Sequence, residues 1–389
     1  MKEDNFETCF VQTDLKPQGL RTAVFRKIEE IPLDDWNQVY PDVLEGYPFF
    51  KTLDESNLKQ FQFYYILVYE GDIPVGAASC FLMDYSLDTT IQGPLKIVSS
   101  FVKKLFPRIF SLKALMCGSP AGPGNIGILG ESDRVVKTIY RRMEQIAENE
   151  KVAILTFKEF SPAFADALSC LEREGFCRFQ SMPNTKKTIH FKDFEEYLMT
   201  LSYKTRYDLK RKFKKLDGKA NIQWSVTGSL GDSLDEAYGL YLQMVEKHQV
   251  GFEVMPKEFF VKISQNMPDE VKFFLWRMEG KLVAFAFCLV RNDYFLDYYI
   301  GLDYSVAYDH HLYFLRFRDM MRWCIGNGIK TYEMGCTNYD PKKRLDFQFI
   351  PLNVYVKFRN QYINRHLSKF CDWLKPERFD PVLREMNAQ

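Results

Sequence analysis

Residues 328–345, GIKTYEMGCTNYDPKKRL, gather a carboxylate (Glu333), a phenol (Tyr339) and three cations (Lys342, Lys343, Arg344) into one short stretch. A carboxylate near the end of a buried strand is poorly solvated, which favours its neutral form and makes Glu333 a candidate general base. A strand glutamate held in a salt bridge is the alternative. Tyr339 and Lys342 have the chemistry to donate a proton to a leaving thiolate or to neutralise charge on an anionic substrate. The competing reading is an ordinary exposed loop. Cys336 shares the loop, but no histidine is placed beside it to activate it as a nucleophile.

The elements that must position these groups follow from periodicity. Residues 329–334 alternate, with Ile329, Thr331 and Glu333 on one face and Lys330, Tyr332 and Met334 on the other, as in a strand that breaks at Gly335 into a polar loop. A helix over 309–327 feeds that strand, and a strand over 294–300 precedes the helix. Two apolar runs around Glu279-Gly280 predict a hairpin, and two around Glu70-Gly71 predict another. After each hairpin come a loop, a helix (132–149 in the first half, with Ser132 as its N-cap) and a short strand (152–157). The order strand, turn, strand, helix, strand thus occurs twice and points to two related α/β units. The spacing also predicts strands over 22–31, 176–180 and 186–191, and helices over 94–110 and 162–174. Asp193 is placed to cap a short helix running to Thr200.

Composition narrows the class. The 389 residues suit one large or two ordinary domains, and 46% hydrophobic with 26% charged is the balance of a soluble globular chain. A formal net charge of +1 argues against wholesale attraction to nucleic acid or membrane, so any anion site must be local. Nine scattered cysteines without a C-x-x-C pair or a secretory leader predict reduced thiols and a cytoplasmic setting. No apolar run reaches the ~18 residues needed to span a bilayer.

The strongest local charge lies at 202–216, where Leu209, Phe213 and Leu216 give a basic helix its buried side. Its outer face is either a solvated cationic face or a grip on phosphates. Lys204, Arg206 and Tyr207 in its first turn are the candidates for substrate contact, with Arg344. The loop 118–127, GSPAGPGNIG, precedes a helix and is either an anion cradle or a tight turn; it lacks the Gly-Lys-Ser/Thr of a P-loop. His190, His248, His310, His311 and His366 show no metal-ligand spacing. Asp297 and Asp303 flank the central strand and are either catalytic or merely hydrogen-bonded.

The run 201–216 (LSYKTRYDLKRKFKKL), the hairpin 279–287 (EGKLVAFAF), the strand end 299–303 (YIGLD) and the Tyr-x-x-Lys within 335–345 together resemble the GNAT acyltransferase superfamily. More narrowly they resemble the tandem-GNAT, FemAB-like proteins. The first half is similar more weakly, through Tyr47-Pro-Phe-Phe50 and its hairpin. The resemblance implies two tandem GNAT-like domains, residues 1–180 and 181–389, each a mixed twisted sheet flanked by helices. It implies direct attack of an amine on an acyl donor held in the second domain, where two parallel strands part beside a β-bulge and expose backbone N–H groups. In this chain those strands are the ones over 294–300 and 329–334. The implied donor, acyl-CoA with acetyl-CoA foremost, would meet Tyr299, Ile300 and Gly301 at the strand end. It would meet Tyr308, His310 and His311 at the start of the following helix. The usual glycine-rich pyrophosphate loop is replaced here by LDYSVAYDHH (302–311), which leaves aminoacyl-tRNA open as the donor. The acceptor would be an amine on a small molecule, a peptide or, in the tRNA-dependent case, a cell-wall precursor. A third reading is a non-catalytic binding module on the same scaffold.

Overall fold

The computed structural model describes residues 19–86, 111–217, 221–248, 252–371, 375–378 and 380–387. Its strands run in chain order β1 (Leu20–Phe25), β2 (Gln62–Glu70), β3 (Ile73–Ser86), β4 (Ser111–Cys117), β5 (Ile126–Ile128), β6 (Ile154–Phe160), β7 (Cys177–Thr188), β8 (Ile222–Thr227), β9 (Val271–Met278), β10 (Lys281–Arg291), β11 (Tyr294–Leu302), β12 (Thr331–Met334) and β13 (Gln348–Phe358). Both expected hairpins form. β2 and β3 turn over Gly71 (φ 61°), and β9 and β10 over Glu279 and Gly280 (φ 52° and 83°), the left-handed backbone that tight hairpin turns require.

The chain divides into two compact units. One comprises Met1–Asp54, Lys59–Ser181 and Leu352–Lys375; the other comprises Glu55–Leu58, Met182–Pro351 and Pro376–Gln389. In the first, the sheet order is β1-β2-β3-β4-β6-β13, with β5 on β3. Every pairing is antiparallel except β4 with β6. In the second, the order is β7-β12-β11-β10-β9-β8, again antiparallel except for β11 with β12. Parallel neighbours need a crossover. The helix Ser132–Asn149 supplies it in the first unit and the helix Leu312–Gly326 in the second.

Each crossover helix buries one stripe. Val135, Val136, Ile139, Tyr140, Met143 and Ile146 recur at helical spacing and pack on Ile66, Val68, Leu115 and Leu155. The second helix places Leu315, Met320, Met321 and Cys324 against Phe274, Trp276, Phe295 and Tyr332, yet the same turns also bury Arg316, Arg318 and Asp319. On the other face of the second sheet, Tyr241, Phe259 and Phe260 meet Phe285, Phe287 and Tyr299 edge to face.

Several local expectations shift. The strand expected over 22–31 ends at Phe25, and a 3-10 turn follows at Ile28–Glu30, where Asp54 accepts from the Ile28 N–H at 2.7 Å. The two strands expected over 176–191 are one continuous β7 that tolerates Pro183. The helix expected over 162–174 is reduced to the turn Pro162–Phe164 and the short helix Cys170–Arg173. Ser132 is the first helical residue rather than the cap, whereas Asp193 does cap, its carboxylate accepting from the Glu196 N–H at 2.8 Å. The helix expected over 94–110 lies outside the described residues. Cys80, Cys117, Cys170, Cys288 and Cys324 are buried free thiols, but Cys177 is disulfide-bonded, against the expectation of uniformly reduced cysteines. Among the described residues, no helix is long and apolar enough to cross a membrane, and no cluster is suited to a metal ion.

Candidate active site

The site grows from the place where β11 and β12 stop pairing. Their parallel ladder holds four pairs, Tyr294 with Thr331 through Asp297 with Met334. β12 then ends, while β11 runs on to Leu302. At the same level β11 carries an extra residue. Phe287 and Cys288 of β10 oppose Tyr299 and Asp297, which leaves Tyr298 as the bulged position. A bulge bends a strand and re-aims its side chains, so the parting of the two strands has a local cause.

The loop that follows β12 is held from beneath. Tyr339 and Lys342 lie on the short helix Tyr339–Arg344 and are almost fully buried. The Tyr339 hydroxyl is 2.7 Å from the carbonyls of Cys336 and Pro183, and the Lys342 ammonium donates to the carbonyl of Gly335. The Thr185 hydroxyl donates to the carbonyl of Met334 at 2.7 Å. The stretch expected as an open polar loop is therefore a closed helical turn in which Tyr339 and Lys342 point inward. Burial pushes the Lys342 amine down to about 8, opposed by nearby Cys336 and Asp297 and reinforced by Arg316.

Glu333 lies on the opposite face of β12 from Tyr332 and Met334. It accepts hydrogen bonds from the Tyr294 hydroxyl and the Asn184 amide. Desolvation raises its carboxyl above the usual range, with Tyr294, Asn184 and Lys186 pulling the other way. A carboxylate so placed fits a general base. Tyr294 and Asn184 were not picked out from sequence. Their only signal is that they share a face with Glu333 once β7, β11 and β12 are in register.

Beneath the parting point sits a buried ion pair. Arg316 Nη1 donates to Asp297 Oδ2 at 2.6 Å, and the Tyr332 hydroxyl donates to the same oxygen at 3.2 Å. Burial would lower the Arg316 guanidinium, but Asp297 beside it holds it firmly charged. Arg316 also escaped the sequence reading, although a cation within the apolar stripe of a helix was a usable sign. Asp303 pairs with Lys281 at 2.7 Å and accepts from the Ser305 backbone at 3.1 Å.

The residues expected to meet a donor are spread along β11 and the loop after it. Tyr299 belongs to the aromatic cluster with Tyr241 and Phe260, and Ile300 packs on the other face. Gly301 is tight against its surroundings: a Cβ there would lie 2.4 Å from the Phe285 ring and 2.7 Å from the Leu240 carbonyl carbon. The glycine therefore admits the helix Leu234–His248. Tyr308 is exposed and meets Lys247. His310 continues the turn, its N–H donating to Val306 at 3.1 Å, and His311 adopts left-handed backbone (φ 46°) just before the helix. Desolvation, then Lys212, Lys215 and Arg211, lower the His311 imidazole.

The expected acceptor contacts separate into two groups. Lys204 and Tyr207 stand on the outer face of the helix Tyr203–Asp217, whose inner side buries Leu209, Phe213 and Leu216. Arg206 turns back to the carbonyls of Met199 and Leu201 at 3.2 and 3.3 Å, and Arg344 meets Asp208 at 2.6 Å. Burial alone would raise Asp208, but Lys212, Arg211 and Arg344 hold it well below the carboxylate range. Asp208 thus ties the basic helix to the Tyr-x-x-Lys turn, and an open cleft beside them is lined by Thr200, Ser202, Asp340, Lys343, Arg344 and Glu385.

Comparison with known proteins fits this geometry. Residues 203–343 match the model of the acetyltransferase (GNAT) domain. A putative 8-amino-7-oxononanoate synthase 2 of Mycobacterium tuberculosis (strain CDC 1551 / Oshkosh) is 23% identical over 309 residues, 77% of this chain. The match takes in 40% of that protein, so the chain spans less than half the length of this curated relative. Among solved structures, FemX is 13% identical with a TM-score of 0.55, over 89% of this chain and 99% of that one. A tandem GNAT protein from the clavulanic acid biosynthesis pathway is 10% identical with a TM-score of 0.50, over 87% of this chain and 98% of that one. Residues 203–343 thus resemble a GNAT acetyltransferase domain, and the chain shares the fold of FemX and of the tandem GNAT protein.

Proposed function

We propose that this chain is an N-acyltransferase that moves an acyl group from acyl-CoA, acetyl-CoA foremost, to the amine of a separate small molecule or peptide. The observation that carries this reading is the parting of β11 and β12 after Asp297 and Met334 beside the bulge at Tyr298. An activated carbonyl laid there would meet backbone N–H groups, whose fixed dipoles stabilise an oxyanion without reorganising. The acceptor amine attacks in its neutral form. Its nitrogen forms the C–N bond as the carbonyl electrons move to oxygen, and collapse then breaks the C–S bond. Glu333 takes the proton shed by the amine. Lys342, whose ammonium burial makes a readier acid, returns a proton to the departing thiolate, with Tyr339 holding the turn that carries it. Most of the acceleration comes from positioning. The curated relative is named for a product that carries an amine beside a ketone, and an amine of that kind belongs to the acceptor class proposed here.

A second reading, transfer from an aminoacyl-tRNA, is favoured by one feature. The stretch 302–311 has no glycine after position 301. It has instead the Lys215 ammonium 3.4 Å from the Asp309 carbonyl, with Lys212 near His311. Thermal unfolding separates the readings, because a ligand that binds only the native state at ~100 times its Kd adds about 2.7 kcal/mol of stability. Acetyl-CoA should raise the midpoint strongly and RNA should not. No shift with millimolar acetyl-CoA would end the acyl-CoA reading, and a shift with RNA alone would establish the other.

A further inference from the structure

We infer that Met199 and the outer face of the helix Tyr203–Asp217 dock on an anionic lipid surface. Tyr203 and Tyr207, one turn apart on this helix, are 74% and 63% exposed, and Met199, near the end of the preceding short helix Phe194–Thr200, is 65% exposed. The two tyrosine rings lie 6.3 Å apart and 21° from parallel. Arg206 fastens the junction between the short helix Phe194–Thr200 and this helix through the Met199 and Leu201 carbonyls, which ties the residue carrying the exposed thioether to the helix that carries the two tyrosines. Thr205, Leu209, Phe213 and Leu216 are already buried in the core, so the patch is not a core face awaiting a neighbour.

Cations surround it. Lys204, Lys210, Arg211, Lys214 and Lys215 are all exposed. Lys210 meets Glu195 at 2.8 Å and Arg211 meets Asp208 at 2.9 Å. Lys204 and Lys214 meet no carboxylate among the described residues. In a chain of net charge +1, this is a local excess. Lysines beside tyrosines and an exposed thioether are the composition of an interfacial surface: the cations meet anionic headgroups, the phenols sit at headgroup level, and the thioether enters the acyl boundary. Single-stranded RNA would use the cations and rings but would gain little from Met199, so the observations favour lipid.

The test is flotation of the full chain with phosphatidylcholine vesicles, with and without phosphatidylglycerol. The protein should float only with the anionic vesicles, and added salt should release it. The variants M199S/Y203S/Y207S and, separately, K204E/K214E should each lower the partition coefficient roughly tenfold or more. Should a multiple variant fail to fold, Lys204→Glu alone and the wild-type salt titration carry the same decision. No flotation, or flotation equal in the folded variants, overturns the inference. Binding of oligouridylate with no binding of vesicles overturns it in favour of RNA. None of these outcomes bears on the thermal shift with acetyl-CoA.

Discussion

The two units contain the same crossover and finish it differently. In each, a four-pair parallel ladder joins the strands on either side of a long helix: Ala114 with Ile154 through Cys117 with Phe157, and Tyr294 with Thr331 through Asp297 with Met334. Past Cys117 the first unit closes on itself. The chain leaves at Gly118 and returns so that the Gly124 N–H donates to the Glu159 carbonyl at 3.0 Å and Gly124 bridges Phe160 in parallel. The Lys158 ammonium then fastens the Gly122 carbonyl at 3.2 Å. Past Asp297 the second unit leaves β11 running on without β12 beside it. The Gly/Pro-rich loop 118–127 is thus a turn fastened to β6 at the end of the first crossover. The same crossover is thus finished in two ways, and the difference rests on which loop returns to the ladder.

The largest effect expected from this contrast is at Glu333. Glu333→Gln should lower turnover about 10²–10⁴-fold and remove the acidic limb of the pH profile, which in the wild type falls at the raised pKa of this carboxyl. The raised pKa also means the ionised form is disfavoured in the fold. Stability attached to this group is therefore full below the ordinary glutamate pKa and lost as pH rises through the higher folded value. Glu333→Gln should accordingly be somewhat more stable than wild type at neutral pH, and the advantage should vanish in acid. Unchanged turnover would leave Glu333 as a strand glutamate held by Tyr294 and Asn184.

The ion pair beneath the parting comes next. Arg316→Met leaves Asp297 charged and buried without its partner, a loss of about 3–5 kcal/mol measured by denaturant unfolding. The double variant with Asp297→Leu should recover much of that loss, because an apolar pair of similar volume is often neutral. If the single and double variants are equally unstable, the loss does not come from leaving Asp297 buried without Arg316.

Gly124→Ala tests the fastened turn itself. A Cβ there would lie 2.2 Å from the Lys158 carbonyl oxygen and 2.7 Å from the Phe160 ring, and a β6 carbonyl cannot swing aside. The cost should fall toward the upper end of the ~1–3 kcal/mol typical of overpacking. Acetyl-CoA affinity at a permissive temperature should stay unchanged. A variant of normal stability with weakened donor binding would place the donor in the first crossover and reverse the comparison.

These contrasts also show what the residues declared in advance. The hairpins were legible because their turns need left-handed backbone, which Glu70-Gly71 and Glu279-Gly280 advertise between apolar runs. The repeated strand-helix-strand order followed from period alone. The Tyr-x-x-Lys turn was not legible as a buried helix. Its inward residues are Tyr339, Pro341, Lys342 and Leu345, and a phenol, a proline and an ammonium leave no apolar stripe to read. Inward burial of Tyr339 and Lys342 depends on carbonyls supplied by β7 and by the loop after β12. Arg316 hid for the converse reason, since a guanidinium goes into a core only where Asp297, far away in sequence, is already waiting. Sequence reading found the groups around the site but not which of them face the backbone.

A second lysine makes the comparison quantitative. Lys158 and Lys342 each donate to a glycine carbonyl next to a parallel ladder, but Lys158 also pairs with Glu159 at 2.5 Å, whereas Lys342 has no ion-pair partner among the described residues. Burial therefore dominates at Lys342, with Cys336 and Asp297 opposing it only in part. Its folded pKa of about 8 lies below the ordinary 10.5, so the unfolded chain holds this proton more tightly and stability rises with pH between those values. The difference corresponds to roughly 3 kcal/mol of native-state cost at neutral pH, against about 1 kcal/mol for the hydrogen bond to Gly335. Lys342→Met should then raise stability by about 2 kcal/mol at pH 7, and the gain should shrink as pH climbs past 8. Turnover should fall at the same time if Lys342 is the acid proposed for the leaving thiolate. A uniform loss of stability at every pH would mean that Lys342 only fastens a loop, as Lys158 does, and that the second crossover differs from the first in shape but not in chemistry.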